Sequence, residues 1–263
     1  MNKNNAAIRE SGFRTACRRW FRIFRLFLCC IAIMVAASVS RLFVCSWRKC
    51  RLGVWWTQRW AAAVARILGM KITIYGRIPS GSGHLVVSNH LGYLDVIAHA
   101  SILPIRFAPK AEIRRWPFFG WMTSLSSPIW IDRRNPRMSA VYAEQFRLTI
   151  RHGISMLVYP EGTSTDGDHG ILPFKSTPFA SAIAAGAKIL PTLLFYPESA
   201  AWHDETPFGK HLWRVLGMKK LDIDIYILDE ITVPENSDRK TLAAAVHQTM
   251  EKEYWKIEQP SVE

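Results

Sequence analysis

The chain has 263 residues, enough for one large folded domain with a short appendage. Hydrophobic residues make up 49% and charged residues 21% of it, a composition that excludes an intrinsically disordered protein. The formal net charge is +13, so the partners to be distinguished are an anionic membrane surface and a nucleic acid.

Positive charge is concentrated in the N-terminal segment. Between Met1 and Trp60 the chain carries twelve Lys or Arg and one acidic residue, a net charge of +11. The centre of this segment, Leu26–Ser40, contains fifteen residues without a charge. Five tryptophans lie around that run, namely Trp20, Trp47, Trp55, Trp56 and Trp60. Arg and Trp beside an apolar run are typical of a membrane interface. We therefore expect the lipid bilayer, and no nucleic acid, as the partner of this segment.

The apolar run is shorter than the ~20 residues that a transmembrane helix needs. Flanking arginines such as Arg22, Arg25 and Arg41 can lengthen a span by directing their guanidinium groups to the lipid headgroups. A spanning helix and a shallow helical hairpin both agree with this pattern. A cleaved signal peptide is disfavoured, because Arg, Trp and Cys rather than small residues follow the run.

Cysteines are confined to the first fifty residues, at Cys17, Cys29, Cys30, Cys45 and Cys50. The rest of the chain therefore has no cysteine nucleophile, no cysteine-based metal site and no disulfide framework.

The hydrophobic pattern changes near residue 68. We assign residues 1–68 to a basic, Trp-rich membrane-anchoring helical segment and residues 69–263 to an α/β domain. Short apolar, β-branched runs predict strands at Lys71–Tyr75, His84–Ser88, Arg106–Ala108, Ile129–Ile131, Ser155–Tyr159, Ile189–Phe195 and Asp222–Leu228. Helical spacing predicts helices from about Tyr93, over Arg137–Arg151, over Thr177–Ala187 and over Ser237–Trp255, the last with Ser237 as N-cap. This alternation predicts helices packed on a sheet.

The segment Asn89–Asp95 (NHLGYLD) directly follows the predicted strand at His84–Ser88. In α/β proteins, ligand sites lie where strands end and helices begin. A tight turn at Gly92 can bring the Asp95 carboxylate back to Nδ1 of His90, which fixes the tautomer and leaves Nε2 for an attacking hydroxyl. The pair therefore predicts a general base and its orienting carboxylate. The alternative is a chance spacing in which Asp95 is an ordinary helix cap.

A second polar segment, Tyr159–Thr165 (YPEGTST), also follows a predicted strand. Pro160 and Gly162 break that strand and expose Glu161, whose carboxylate can bind a hydroxyl of an acceptor. Backbone N–H groups near Gly162 can hold an anion or a developing oxyanion. The alternative is an ordinary Pro-Glu-Gly turn.

Cationic side chains occur in two loops of the predicted α/β domain. Arg133 and Arg134 come after the predicted strand at Ile129–Ile131, and they can clamp a phosphate or form a solvated charge cluster. Lys175 lies in the loop soon after Glu161.

Four blocks in this order resemble the glycerolipid acyltransferase family, whose best-known members make phosphatidic acid from lysophosphatidic acid. The blocks of the family are NHxxxxD, a strand ending in an Arg-bearing turn, (F/Y)PEGT and a strand with a central Pro. They match Asn89–Asp95, Ile129–Arg134, Tyr159–Thr163 and Ile189–Pro191, and the FK pair Phe174-Lys175 matches too. The likeness covers about Leu85 to Pro191, and all four blocks together are far more specific than any one.

The resemblance implies the glycerolipid acyltransferase fold, with His90 and Asp95 as the catalytic dyad. It implies an acceptor site formed by Asn89, Arg133, Glu161, Gly162, Thr163 and Lys175. The co-substrate would be an acyl carrier protein (ACP) or coenzyme A (CoA) thioester, with no cofactor and no metal. The protein would act at the inner membrane of a bacterium, with its catalytic domain on the cytoplasmic side.

One departure from the family bears on the acceptor. Many members read PEGTRS, with an Arg that contacts the phosphate, whereas this chain has Ser164 followed by Thr165-Asp166-Gly167. A related branch acylates lyso-ornithine lipid, and Glu161–Ser164 together with His203–Trp213 look closer to that branch. We expect lysophosphatidic acid as the acceptor, because Arg133, Arg134 and Lys175 can still bind a phosphate. We keep lyso-ornithine lipid as the alternative.

Three other classes of protein are less consistent with the sequence. A non-catalytic membrane-binding protein would not need His90 and Asp95. A metal-dependent transferase could use the acidic pairs Asp166/Asp168 or Asp222/Asp224, which a surface turn and a half-exposed strand explain better. A serine hydrolase is disfavoured because no G-x-S-x-G segment occurs.

Overall fold

The computed structural model describes residues 12–116, 119–132, 138–203, 206–234 and 236–258. Its helices are α1 (Gly12–Leu42), α2 (Trp47–Leu68), α3 (Tyr93–Ile102), α4 (Phe119–Leu125), α5 (Ser139–Arg151), α6 (Thr177–Ala185), α7 (Phe208–Gly217) and α8 (Arg239–Glu258). Its strands are β1 (Met70–Tyr75), β2 (Leu85–Ser88), β3 (Ile105–Arg106), β4 (Ser155–Val158), β5 (Ile189–Phe195) and β6 (Leu221–Ile227). Short 3-10 helices cover Ala111–Arg115 and Glu198–Ala200.

Helices α1 and α2 form a hairpin at the N-terminus. Helix α1 has 31 residues, and by length and composition it is long and apolar enough to cross a membrane. It extends well beyond the predicted apolar run, because Arg22 is buried against the rest of the protein. Trp56 of α2 donates its indole N–H to the Ser40 hydroxyl of α1 at 2.9 Å. Helix α2 ends at Gly69, whose φ of 77° turns its N–H onto carbonyl groups of the last helical turn.

A six-stranded mixed sheet has the order β1-β6-β5-β2-β4-β3. Strands β5, β2, β4 and β3 are parallel to one another, whereas β6 is antiparallel to β5 and parallel to β1. Strand β2 is buried on both faces, with Leu85 and Val87 in one core and Val86 in the other. The sheet therefore lies between two layers of helices, as parallel sheets require.

The two cores lie on opposite faces of the sheet. Helices α2, α3 and α7 cover one face, and α5, α6 and α8 cover the other. The first core includes Ala61, Val64, Leu94, Ile97, Val215 and Leu216; the second includes Phe146, Ile150, Phe179, Leu242 and Val246. Helix α2 belongs to the N-terminal hairpin, so the hairpin shares a core with the α/β domain.

The predicted strand at Ile129–Ile131 is wrong. This segment runs beside residues 107–111 and forms one isolated bridge, between Ile131 and Lys110. The N–H of Ile131 donates to the carbonyl of Pro109 at 2.9 Å. Proline has no N–H to continue the pairing, so a regular ladder does not develop there.

The predicted N-cap of the last helix is also wrong. Helix α8 is capped by Asp238, whose Oδ2 accepts the N–H groups of Lys240 and Thr241, both at 2.9 Å. The hydroxyl of Ser237 donates instead to the carbonyl of Pro234 at 2.7 Å.

Candidate active site

The polar loops predicted from the sequence meet at one edge of the sheet. Strands β2 and β4 are parallel neighbours, and β5 borders β2 on its other side. The segment Asn89–Asp95 follows β2, and the segment Tyr159–Thr165 follows β4. Because parallel neighbours end at the same edge, both segments and the end of β5 surround one position.

His90 and Asp95 are in direct contact. Nδ1 of His90 lies 2.7 Å from Oδ2 of Asp95, and the Asp95 side chain is completely buried. The same carboxylate oxygen accepts the N–H groups of Leu91 at 2.7 Å and Gly92 at 3.0 Å. A carboxylate at Nδ1 makes that nitrogen the donor, which leaves Nε2 with its lone pair. The side chain of His90 is 23% exposed, so this lone pair is within reach of a substrate.

Two tyrosines enclose the pair. The ring of Tyr159 stacks on the His90 imidazole, with centroids 4.1 Å apart and planes 14° from parallel. The hydroxyl of Tyr196 donates to Oδ1 of Asp95 at 2.6 Å. Burial raises the pKa of both phenols well above the usual value, so both stay protonated. Sequence reasoning missed Tyr196, although its place just after β5, at the same edge of the sheet, could have indicated it.

Glu161 packs against the backbone of the loop that carries His90. Its Oε1 accepts the N–H of His90 at 2.8 Å, and its Oε2 accepts the N–H of Leu172 at 2.9 Å. Burial raises the pKa of this carboxyl group to about 7, against the opposing effect of these two hydrogen bonds. The N–H of Thr165 donates to the carbonyl of His90 at 2.8 Å. Glu161 thus joins the two loops, and its predicted contact with an acceptor stays a prediction.

Asn89 is buried and pairs with the backbone of β5. Its Nδ2 donates to the carbonyl of Leu194 at 2.9 Å, and its Oδ1 accepts the N–H of the same residue at 2.8 Å. The side chain therefore extends the pairing between β2 and β5 beyond the end of β2. This contact holds the neighbouring His90 at a fixed place relative to the sheet.

Gly162, Thr163 and Lys175 lie together at the exposed side of the turn. Gly162 has a φ of 80°, and the side chain of Lys175 occupies the space that a Cβ at this glycine would need. The N–H of Lys175 donates to the carbonyl of Pro160 at 2.9 Å, which fixes the start of that side chain. Thr163 and Lys175 are exposed, and their predicted contact with an acceptor stays a prediction. Arg133 and Arg134 lie outside the described residues.

An aromatic cluster, defined here as Tyr93, Trp202, Phe208 and His211, borders the dyad. Trp202 donates its backbone N–H to the carbonyl of Leu91 at 2.8 Å. Ring centroids of Tyr93 lie 5.6 Å from Trp202 and 5.1 Å from Phe208. The Tyr93 hydroxyl is 3.2 Å from Nδ1 of His211. No spacing in the sequence identified this cluster, because its members come from α3, a loop and α7.

Ser164, the residue that departs from the family pattern, turns away from the exposed side of the loop. Its hydroxyl donates to the carbonyl of Trp202 at 2.8 Å. It therefore connects the loop after β4 to the aromatic cluster.

Potential metal ligands are scattered rather than grouped. Within the described ranges, no three His, Cys, Asp or Glu side chains lie together so that they could hold a metal ion. The expectation of a metal-independent reaction stays a prediction.

Comparisons with known proteins identify the relatives of this chain. Residues 69–194 match the family model described as Acyltransferase. The lyso-ornithine lipid O-acyltransferase of Rhodobacter capsulatus is 33% identical over 206 residues, covering 72% of this chain and 74% of that protein. The 1-acyl-sn-glycerol-3-phosphate acyltransferase of Neisseria gonorrhoeae is 31% identical over 175 residues, covering 64% and 68%.

The fold matches a solved structure as well. The crystal structure of the 1-acyl-sn-glycerophosphate acyltransferase PlsC from Thermotoga maritima superposes with a TM-score of 0.71 at 17% identity, covering 94% of this chain and 97% of that one. The predicted family and fold class are confirmed. The chain is an O-acyltransferase, and it belongs to the acyltransferase family that contains the 1-acyl-sn-glycerol-3-phosphate and lyso-ornithine lipid acyltransferases.

Proposed function

We propose that this enzyme transfers a fatty acyl group from acyl-ACP or acyl-CoA to the free hydroxyl of a membrane lysolipid, with His90 as general base. The observation that carries the proposal is the 2.7 Å contact between His90 Nδ1 and the buried Asp95 carboxylate. An imidazole that donates through Nδ1 has an unprotonated Nε2, which can take the proton of an attacking alcohol.

The transfer needs no acyl-enzyme intermediate. As Nε2 of His90 takes the proton, the hydroxyl oxygen of the lysolipid bonds to the thioester carbonyl carbon. The carbon–sulfur bond then breaks, and the imidazolium returns the proton to the departing thiolate. Asp95 stabilises the imidazolium between these two proton transfers. The products are an ester and a free thiol.

Ser164 supports lyso-ornithine lipid as the acceptor. Where many lysophosphatidate enzymes of the family have a phosphate-binding Arg, this chain places a hydroxyl that donates to the Trp202 carbonyl at 2.8 Å. The turn therefore offers no cation from this position. The 33% identity to the Rhodobacter capsulatus protein supports the same acceptor.

Lysophosphatidic acid, the acceptor expected from the sequence, is the second candidate because of Lys175. Its side chain lies over Gly162 on the exposed side of the turn. An ammonium group there can bind a phosphate. The same cation can bind the carboxylate of an ornithine headgroup, so Lys175 alone does not favour either lipid.

The bilayer is the proposed location of the acceptor, and an apolar stripe on α1 supports this. Exposed large side chains recur at three- and four-residue spacing along the helix, at Trp20, Phe24, Phe27, Ile31, Val35, Val39 and Leu42. Such a stripe can enter the headgroup and acyl-chain boundary. We place the catalytic domain on the cytoplasmic side, where thioester donors are made.

The test uses purified full-length protein in mixed micelles with a labelled acyl thioester. Lyso-ornithine lipid and lysophosphatidic acid are offered together at equal concentration, and we expect esterification mainly of the lyso-ornithine lipid. His90→Ala should abolish transfer to both. His152→Ala, at an exposed position after α5, is the control and should keep wild-type turnover.

The two parts of the proposal fail separately. Near-normal turnover by folded His90→Ala would disprove the general-base mechanism. Preferential esterification of lysophosphatidic acid would leave the mechanism unaffected. It would identify lysophosphatidic acid, the second candidate, as the acceptor.

A further inference from the structure

The carboxylate of the dyad is held from two directions. Oδ2 of Asp95 accepts three donors from its own loop: Nδ1 of His90 and the N–H groups of Leu91 and Gly92. Oδ1 accepts the hydroxyl of Tyr196 at 2.6 Å. The loop alone therefore fixes one oxygen, and a residue from a different part of the chain fixes the other.

Tyr196 is well placed to hold this position. It follows β5, whose carbonyl and N–H at Leu194 are already tied to Asn89. The end of β5 thus contacts the loop after β2 at Asn89 and at Asp95, which lie on either side of His90 in the sequence. Because β5 is a buried strand in the interior of the sheet, the position of Tyr196 is fixed by strand pairing on both sides of β5.

We propose that Tyr196 is a positioning residue that orients Asp95 and limits the negative charge that this carboxylate presents to His90. This inference rests on the proposed general-base function. A carboxylate held at one oxygen can rotate about its Cβ–Cγ bond, since such terminal torsions have broad minima. The second hydrogen bond removes that freedom and keeps Oδ2 on Nδ1 of the imidazole.

The hydrogen bond also acts on charge. A donor at Oδ1 draws electron density away from Oδ2, so the carboxylate attracts the imidazolium proton less strongly. Without it, Oδ1 would be a buried, unpaired oxygen of an ionised group, and more negative charge would face His90. Loss of the Tyr196 hydrogen bond would therefore stabilise the imidazolium form of His90 over its neutral form.

In the described part of the chain, three further titratable side chains contact the dyad residues, and Tyr196→Phe leaves all three unaltered. Tyr159 stacks on the imidazole, and Glu161 accepts the backbone N–H of His90. Nδ1 of the buried His99 lies 2.9 Å from the carbonyl of Asp95, and burial lowers the pKa of His99, which keeps its ring neutral. Any contribution of these groups to the pH profile is therefore common to the wild type and to a variant at position 196.

The test is Tyr196→Phe in the full-length enzyme, assayed with lyso-ornithine lipid and acyl-CoA across the pH range. We expect kcat to fall about 10- to 100-fold, with the acceptor KM nearly unchanged. The acid limb of kcat/KM should move up by about one pH unit. A wild-type kcat with an unmoved acid limb would overturn the inference.

Tyr254→Phe is the matched control. This buried tyrosine also donates one hydrogen bond, at 2.7 Å, but its acceptor is the carbonyl of Gly167 rather than Asp95. It should lower stability as Tyr196→Phe does while leaving the pH profile unchanged. A shift of the acid limb in Tyr254→Phe as large as in Tyr196→Phe would make the effect nonspecific and overturn the inference.

A second measurement covers the case in which Tyr196→Phe does not fold. Fluorotyrosine placed at position 196 keeps the shape of the ring and makes the hydroxyl a stronger donor. The acid limb should then move to lower pH, opposite to the change in Tyr196→Phe, and an unmoved limb would overturn the inference. His90→Ala, run in parallel, tests the proposed function independently, because activity in that variant refutes the dyad whatever Tyr196 does.

Discussion

Glu161 shows how a single buried charge is used inside this site. Its two oxygens accept backbone N–H groups from the loop after β2 and from the loop after β4, at 2.8 and 2.9 Å. The residue is only 4% exposed, and this burial raises its pKa to about 7. The carboxylate thus fixes the backbone of His90 and lowers the stability of the fold whenever it is ionised.

The sign of this effect follows from proton linkage. The folded-state pKa of Glu161 is about 7, above the ordinary value of 4.5. Between these two values the folded protein holds a proton that the unfolded chain has released. The free energy of unfolding therefore falls as pH rises through this window, by about 3 kcal/mol in total, and is level above it.

We predict that Glu161→Gln removes this part of the pH dependence. Glutamine does not titrate. The fall of about 3 kcal/mol in the free energy of unfolding between pH 4.5 and 7 should therefore be absent from this variant. The measurement is urea unfolding in detergent at several pH values, and its slope against pH is the readout. The exposed Glu198→Gln should keep the wild-type slope. An unchanged slope in Glu161→Gln would assign the raised pKa to another group.

At the scale of elements, the arginines of α1 hold one helix to another. Arg22 donates to the carbonyl groups of Leu216 at 3.1 Å and Met218 at 2.6 Å, at the C-terminal end of α7. Arg19 donates to the carbonyl of Trp213 at 3.1 Å. The last carbonyls of a helix have no partner within it and carry partial negative charge, so cations stabilise them. These arginines, counted from the sequence as membrane-interface residues, bind protein.

We predict that Arg22→Met removes the hydrogen bonds between α1 and the end of α7 and lowers the free energy of unfolding by about 2–4 kcal/mol. Methionine keeps the unbranched apolar stem but leaves the carbonyls of Leu216 and Met218 without their donor. Arg25→Met, at an exposed position one turn along, should change stability by less than about 0.5 kcal/mol. Equal melting temperatures for the two variants would contradict the assignment.

The same contacts explain where sequence reasoning succeeded and where it failed. Elements with a strong local pattern were predicted closely: β5 has its predicted bounds, and β6 is displaced by one residue. The segment at Ile129–Ile131 was not, because a proline in its neighbour prevents the ladder. The length of α1 was missed, because the burial of Arg22 depends on α7, about 190 residues away along the chain. Strand order likewise depends on distant pairings that no local pattern encodes.

The residues of the site also fall into those that a local sequence pattern identifies and those that depend on distant contacts. His90, Asp95, Glu161 and Lys175 belong to short segments whose residue types and order identify them. Tyr196, Trp202, Phe208 and His211 are brought to the dyad by β5, the loop after it and α7. Of these, Tyr196 could have been anticipated from its place just after β5, whereas the others depend on the fold. The sequence therefore predicted the residues that we propose to react and to bind the acceptor, and the structure adds residues that contact them.

At the scale of the whole molecule, α1 has two faces with different partners. One face packs on α2, α4 and α7 and buries Arg22, Cys30, Met34 and Ala37. The opposite face carries the exposed apolar stripe. A helix that crossed the bilayer would draw its contacts with α7 and α4 into the hydrocarbon. A helix lying in the membrane plane keeps these contacts at the interface and places the stripe in lipid.

We therefore predict that both ends of α1 lie on the same side of the membrane. Gly12 begins the helix with open space where a Cβ would lie, and Cys45 is exposed just beyond its end. About 30 residues of helix extend over ~45 Å, more than the ~30 Å hydrocarbon core, so a spanning helix would put these two positions on opposite sides.

Single-cysteine proteins distinguish the two arrangements. One keeps Cys45, the other carries Gly12→Cys, and all remaining cysteines are replaced by alanine. A membrane-impermeant thiol reagent is applied to sealed inside-out and right-side-out vesicles. In-plane binding predicts that both positions react from the inside-out vesicles alone, on the side where the thioester donor is supplied. Labelling of the two positions from opposite sides would establish a spanning α1, and the contacts of Arg19 and Arg22 with α7 would then have to form within the bilayer.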